Sequence, residues 1–403
     1  MTIKTYAHER LIAELAVQRV ALLTRQILSS ACNRRRNSQI SKSDTSPVTI
    51  ADFAAQALLI SAIRGAFPED GFVGEEDARA LRSDSFLRKQ VWELVQVTRL
   101  DDQECEALLA RPESVEEMCD LIDLGGHGQG GISSSSPSET TETKRFWALD
   151  PIDGTASFIK NQQYAVALAL VEEGKEVLGV LACPNLLIPD FNVDNDINVN
   201  NPATVATPAG GLVTRMKETN VDEHGLGIML SAVRNQGAVL RRISPGALLD
   251  ATRIDRRRSL KENVRLESLH FIDSSLSAAT KSEKVRELAD LAGAPYPGTE
   301  IYSSHMRYAA LILGGRSHVQ VRFPASRRPP WCLWDHAGAQ LIYTESGPGR
   351  ITDLRGRPID FGTGRDLTGT YGLIAADESV HGEILSLVTE MLERDGDRSP
   401  VEA

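Results

Sequence analysis

The chain has 403 residues, 41% of them apolar and 25% charged, with a formal net charge of −11. This is ordinary globular composition with length enough for two domains. The acidic balance excludes the basic face that nucleic acid requires, yet leaves anionic small molecules open, because a bound cation inverts the local field.

The elements follow in chain order. Leu11, Ile12, Leu15, Ala16, Leu22, Leu23, Ile27 and Leu28 recur at helical spacing, predicting an amphipathic helix over about Tyr6–Ser30 that ends at the basic patch Asn33–Asn37. Asp44 falls in a loop before Pro47, and Thr49 is the expected N-cap of a helix over Ala51–Ala66. Gly71-Phe-Val-Gly reads as a short strand running into the acids Glu75, Glu76 and Asp77. Residues 84–124 carry helical periodicity, and residues 125–144 form a Gly/Ser/Thr-rich insertion.

Tyr164–Glu172 and Glu176–Cys183 read as a hairpin turning at Gly174-Lys175. A second polar insertion spans about 190–222, a strand follows at Gly225–Val233, and Val239–Leu260 is basic and loop-like. Helices are expected at Glu283–Ala292, Ser303–Gly314, Trp334–Glu345 (Asp335 at its start) and Val380–Glu393, with strands at Ser317–Phe323 and Tyr371–Ala375. Alternation of this kind predicts layered α/β structure. The expected division is an α+β domain over 1–233 and an α/β domain over 234–403.

Five cysteines (Cys32, Cys105, Cys119, Cys183 and Cys332) are odd in number and show no Cys-x-x-Cys spacing, which fits a reducing compartment. No run approaches the length of about 18 apolar residues needed for a membrane span, and the N-terminus lacks the apolar core of a secretory signal. The expectation is a cytoplasmic protein with neither membrane nor nucleic-acid partners.

The stretch Phe146-Trp-Ala-Leu-Asp150-Pro-Ile-Asp153-Gly154-Thr155 is the densest in chemistry. An apolar strand breaks into a turn, where Pro151 fixes φ and Gly154 permits a positive one. Two carboxylates pinned close together repel unless a cation lies between them. Mg²⁺ takes oxygen ligands of this type, while Gly154 and Thr155 offer a backbone N–H and a hydroxyl to an anion. Taken alone, the motif is equally an Asx-type capped turn.

Three motifs in order, Val73-Gly-Glu75-Glu, Asp150-Pro-Ile-Asp-Gly-Thr155 and Trp334-Asp335-His-Ala-Gly, resemble the inositol-monophosphatase superfamily of Mg²⁺-dependent, lithium-sensitive phosphatases. Lys42-x-Asp44-x-Ser-Pro-Val-Thr, Cys183-Pro-Asn185 and Pro358-Ile-Asp-Phe-Gly-x-Gly-Arg365 are similar to its fungal 3′(2′),5′-bisphosphate nucleotidase subgroup, and the resemblance covers about Tyr6–Met391. It implies an αβαβα sandwich like that of inositol monophosphatase and fructose bisphosphatase. It also implies a site of two or three Mg²⁺ ions held by Glu75, Asp150, the Ile152 carbonyl, Asp153 and Asp335. Asp44 and Thr155 resemble the pair that activates the attacking water. Gly154, Thr155, Ser304, Arg307, Arg322 and Asp335 would contact a small bisphosphorylated nucleotide.

The activity so implied is hydrolysis of the 3′-phosphate of adenosine 3′,5′-bisphosphate to AMP, and of 3′-phosphoadenylyl sulfate, linked to sulfate assimilation and salt tolerance. Inositol polyphosphate 1-phosphatase or inositol monophosphatase activity is the same-class alternative, and a non-catalytic nucleotide sensor the alternative of another class. Two departures bear on substrate: Arg307 stands where the family has Lys, and Asp273 falls near the place of a family histidine. His305, His318 and His336 are expected to be polar packing.

Overall fold

The computed structural model describes residues 4–37, 47–126, 145–188, 204–206, 216–256, 263–274, 280–325, 331–367 and 369–396. Asp44 and most of both expected insertions lie outside the described residues.

Long apolar runs become strands buried on both faces. β1 (Gly71–Gly74), β2 (Arg145–Asp153), β3 (Ala165–Glu172), β4 (Lys175–Cys183), β5 (Thr204–Ala206), β6 (Ile228–Val233), β7 (Gly237–Arg242) and β8 (Thr252–Asp255) form one sheet, in the order β1-β2-β3-β4-β6-β7-β8-β5. β9 (His270–Asp273), β10 (Thr299–Glu300), β11 (His318–Arg322), β12 (Gly349–Thr352) and β13 (Leu373–Asp377) form a second, in the order β10-β9-β11-β13-β12. β1 pairs with β2 in parallel, and the chain from β2 to β4 is an antiparallel meander.

The period-2 alternation of β2 and β3 sorts their side chains between two cores. Trp147, Leu149, Val166, Leu168 and Leu170 pack with the helices Ala7–Asn37 and Pro47–Ala66. Phe146, Ala148, Ala165, Ala167 and Ala169 face the other way, toward the helices Ser304–Leu313 and Ala339–Glu345. Ile272, Leu373 and Ala375 of the second sheet close that middle core. A third core joins Phe271, Val319, Val321, Ile374 and Ala376 to residues of the helices Ser282–Ala292 and Glu378–Arg394. The layers therefore run helix, sheet, helix, sheet, helix, as expected for an αβαβα sandwich.

Several sequence expectations change. The basic run at Asn33–Asn37 belongs to the first helix rather than ending it, and Thr49 lies within the second helix, whose first residue is Pro47, a position where a missing N–H costs nothing. The 84–124 segment is broken: the helix Ser85–Val97 ends where Thr98 turns extended, and Asp102 and Ser114 each cap a new helix with their side chains. Val239–Leu260 supplies β7 and β8, arginines and all, because edge-ward strands tolerate long polar side chains on their open face. The first sheet thus runs on to Asp255, past the expected division after Val233. The hairpin turn is Glu173-Gly174, both at positive φ, the twist-compatible geometry for a two-residue loop. No helix among the described residues is long and apolar enough to cross a membrane.

The expected helix from Trp334 to Glu345 is also divided. Leu333–Asp335 is a 3₁₀ turn, and the helix begins only at Ala339, after Gly338 at φ 83°. Gly338 lies directly against Gly179 of β4, where an added Cβ would sit 2.4 Å from the Gly338 carbonyl oxygen. Glu176, also on β4, accepts the Gly338 N–H. This close contact fixes the turn that carries Asp335. Replacing Gly179 with Ala should therefore destabilise the protein by about 1–3 kcal/mol through overpacking, read as a lowered urea midpoint. An unchanged midpoint would show that the contact relaxes freely.

Candidate active site

The site is assembled at one end of the β1–β2 pair. The parallel register places Gly74 opposite Leu149, so Glu75, just past the end of β1, stands beside Asp150 of β2. Against β3, Asp150 pairs with Ala167 but Asp153 pairs with Ala165, a one-residue bulge in β2. Pro151, which has no N–H for the ladder, accounts for it. Gly154 then turns at φ 88° into the short helix Thr155–Ile159, and a Cβ there would meet the Ser303 Cβ at 2.7 Å. The half-buried Thr155 donates its hydroxyl to the Ile152 carbonyl at 3.2 Å.

Asp153 reaches across to the middle layer and caps the helix Ser304–Leu313. Its carboxylate accepts from the Ser303 hydroxyl at 2.6 Å, the Ser304 N–H at 3.2 Å and the His305 N–H at 2.5 Å. The positive end of that helix favours the negative charge. His305 in turn bonds the Trp334 carbonyl through Nε2 at 2.7 Å, tying the helix to the turn that bears Asp335. Arg365 closes the arrangement. Its guanidinium donates to the carbonyls of Gly74, Gly125 and Gly126 at 2.9, 2.7 and 2.8 Å and lies 4.6 Å from the Trp334 ring, while its own carbonyl accepts the Leu333 N–H. One arginine thus clamps the strand end before Glu75 to the turn before Asp335.

The electrostatics follow from this crowding. Asp150 is almost wholly buried, and its Oδ1 has no hydrogen-bond partner. Burial first, then the charges of Glu75, Asp153, Asp335 and Asp52, hold its carboxyl well above the usual range. Burial and Asp153 push Asp335 up to about 7, with Arg322 and Arg307 opposing. Glu75, exposed on the surface side, is also raised, through partial burial of its carboxyl and then the charges of Glu76 and Asp153. Asp150, Asp153 and His305 bring their ligating atoms within 4.8 Å of one another. Glu75 and Asp335 stand outside that trio: Glu75 shares a side-chain hydrogen bond with Asp150 as well as its charge, and Asp335 acts through charge. An unpaired buried carboxylate oxygen amid converging acids suits a hard divalent cation.

The cationic side differs from expectation in detail. Arg307 is buried, with its Nη groups bonded to the carbonyls of Ile301 and Tyr302 and to the Ser304 hydroxyl. Much of its bonding capacity therefore holds its own loop. Burial and the neighbouring charge of Arg322 lower it to about 10. Arg322 stacks 4.6 Å over Trp331, and its Nε is buried without a partner. Two arginines that repel each other beside a carboxylate cluster leave room for an anion that would relieve both. Asp273 is not turned loose on that anion: Tyr296 donates to its carboxylate at 2.7 Å, as does the Ser274 N–H.

Three residues escaped the sequence reading. Asp52, buried on the helix Pro47–Ala66, lies within the field of Glu75, Glu76 and Asp150. Its signal was an acid among apolar neighbours in a helical pattern. Arg365 was visible only as the last residue of a motif. His305, expected to be packing, faces the carboxylates.

Comparison with known proteins gives the family and the fold. The model of the inositol monophosphatase family matches residues 8–393. The chain is 35% identical over 392 residues to the 3′(2′),5′-bisphosphate nucleotidase of Emericella nidulans, covering 96% of this chain and 99% of that protein. It is 32% identical over 388 residues to the protein of the same name from Schizosaccharomyces pombe, covering 96% of each. Among solved structures, an inositol monophosphatase from Zymomonas mobilis superposes with a TM-score of 0.52 at 16% identity, over 96% of this chain and all of that one. That last likeness is one of fold.

The raised carboxyls have a measurable consequence. A carboxyl whose folded pKa lies above its unfolded value contributes stability below the unfolded pKa and loses it as pH rises through the folded one. In EDTA the urea midpoint should fall between about pH 4 and pH 7, the window set by Asp335. Asp335→Asn should flatten that fall, and millimolar Mg²⁺ should largely abolish it. An identical pH slope in wild type and variant would contradict the crowding.

Proposed function

We propose that this chain, which belongs to the inositol monophosphatase family, hydrolyses the 3′-phosphate of adenosine 3′,5′-bisphosphate to give AMP and inorganic phosphate. 3′-Phosphoadenylyl sulfate is a second substrate in this reading. The observation that carries it is the meeting of a carboxylate cluster with two arginines: Asp335 feels Asp153 and Glu75 on one side, and Arg322 and Arg307 on the other. A cation-binding half and a phosphate-binding half share one residue. The names of the near full-length fungal relatives support the nucleotide as substrate.

In this reading Glu75, Asp150, the Ile152 carbonyl, Asp153 and Asp335 hold two or three Mg²⁺ ions. When bound, such ions polarise a phosphoryl oxygen, lower the pKa of water and stabilise a leaving alkoxide. The chain's own residues do the rest. Asp153, held by three donors, keeps its oxygens aimed while Asp150 keeps its Oδ1 unpaired. Arg322, preorganised on the Trp331 face, pairs with the phosphate that is not cleaved, and Ser304 with Arg307 borders the same end. Gly154 and Thr155 line the reacting phosphate, and the absence of a Cβ at 154 lets Ser303 pack against the turn that presents them. The proton of the attacking water passes to a carboxylate: Asp44 with Thr155 is the expected pair, and Asp52 is the described residue whose burial beside Glu75 and Asp150 fits the same task. Lithium sensitivity, a cytoplasmic location and a place in sulfate assimilation and salt tolerance belong to the same proposal.

Phosphate release from adenosine 3′,5′-bisphosphate and from inositol 1,4-bisphosphate, each with Mg²⁺ and with or without Li⁺, tests it. The nucleotide should turn over and Li⁺ should inhibit. Turnover of the inositol compound alone would replace the nucleotidase with an inositol polyphosphate phosphatase, and turnover of neither would leave a binding protein. Asp150→Asn should lower kcat by about a thousandfold or more. Arg322→Ala should raise KM about tenfold with kcat nearly unchanged, the mark of lost ground-state binding.

A further inference from the structure

We propose that His305 supplies a nitrogen ligand to the cation held by Asp150 and Asp153, giving that position a mixed nitrogen–oxygen character that favours Mn²⁺ or Zn²⁺ over Mg²⁺. It rests on the reading that the carboxylate cluster holds divalent cations.

The argument begins with the tautomer. His305 Nε2 lies 2.7 Å from the Trp334 carbonyl oxygen. A carbonyl only accepts, so Nε2 carries the hydrogen and Nδ1 presents a bare lone pair. The side chain is completely buried, and Nδ1 has no hydrogen-bond partner. Asp150 Oδ1 is likewise buried and unpartnered. Three ligating atoms, one each from Asp150, Asp153 and His305, lie within 4.8 Å of one another. Two ligands around one ion at distances of about 2.0–2.2 Å span up to about 4.4 Å, so only slight closure is needed.

A lone pair facing lone pairs in a dry interior is costly, and a proton on Nδ1 would be equally stranded, since no acceptor lies within bonding distance. A cation satisfies both orphaned atoms at once. The Trp334 carbonyl then plays the role of the outer partner that fixes a ligating imidazole, and the 2.5 Å bond from the His305 N–H to Asp153 holds the two ligands in register. Imidazole nitrogen suits Zn²⁺ and the later first-row ions far better than it suits Mg²⁺.

The test reads the bound metal directly. Protein labelled with ¹⁵N-histidine is loaded with one equivalent of Mn²⁺, and pulsed electron paramagnetic resonance records nuclear couplings. A directly coordinated ¹⁵N coupling in wild type, lost in His305→Gln, is the expected result. Zn²⁺ affinity by calorimetry should fall at least about tenfold in the same variant, while Mg²⁺ affinity shifts far less. Bound Mn²⁺ without a ¹⁵N-histidine coupling would overturn the inference while leaving the oxygen site and the phosphatase intact. Failure to bind Mn²⁺ at all would overturn both. The labelled wild type keeps the test decisive should the variant fold poorly.

Discussion

Everything in this molecule turns on the mutual repulsion of carboxylates gathered around one buried member, Asp150. Asp150 is buried amid Glu75, Asp153, Asp335 and Asp52. No chain gathers such charges for stability, since an unpaired buried ion is among the costlier features a fold can carry. The rest of the architecture makes the crowding tolerable: Asp153 at a helix N-terminus, Arg322 and Arg307 within reach of Asp335, and Arg365 binding the strand ends together. The cost is met by the fold and recovered when a cation arrives.

The five layers explain why these acids meet. Two parallel neighbours, β1 and β2, deliver Glu75 and Asp150 from the first sheet, and a bulge at Pro151 redirects Asp153 toward the middle helices. Asp335 enters from the other direction, on a turn wedged between Gly179 and Arg365. The alanine-rich inner face of β3 matters here, because Ala165, Ala167 and Ala169 let the helix layer come close. Binding chemistry and interlayer packing are thus the same contacts viewed from two sides.

How much of this was legible beforehand follows from what each signal measures. Strands buried on both faces announce themselves as apolar runs, so β2, β3 and β4 were readable to within a residue or two. Glu75, Asp150, Asp153 and Asp335 stand out through the family resemblance of their motifs, and each sits at an element end where local chemistry is visible. Asp52 was harder: a single acid within a helical repeat looks like a solvated face until tertiary structure turns it inward. His305 was harder still, since its tautomer depends on a carbonyl 29 residues away in sequence. The break at Gly338 was hidden because the requirement comes from Gly179, a residue of another sheet strand. Arg307 was seen as a phosphate ligand, but its bonds to Ile301 and Tyr302 depend on how its own loop folds back.

The β1–β2–β3 register has a consequence for how such a chain tolerates change in length. Pairing, not the chain that joins the helix Val115–Gly125 to β2, sets where Asp150 stands. Lengthening that connection adds only closure entropy, about 0.6 kcal/mol for each doubling. The place of Asp150 is therefore fixed by the neighbours of β2 and not by the length of chain that precedes Arg145. A single residue inserted within β2 itself would instead rotate every side chain beyond it to the opposite face, and the acids would part company.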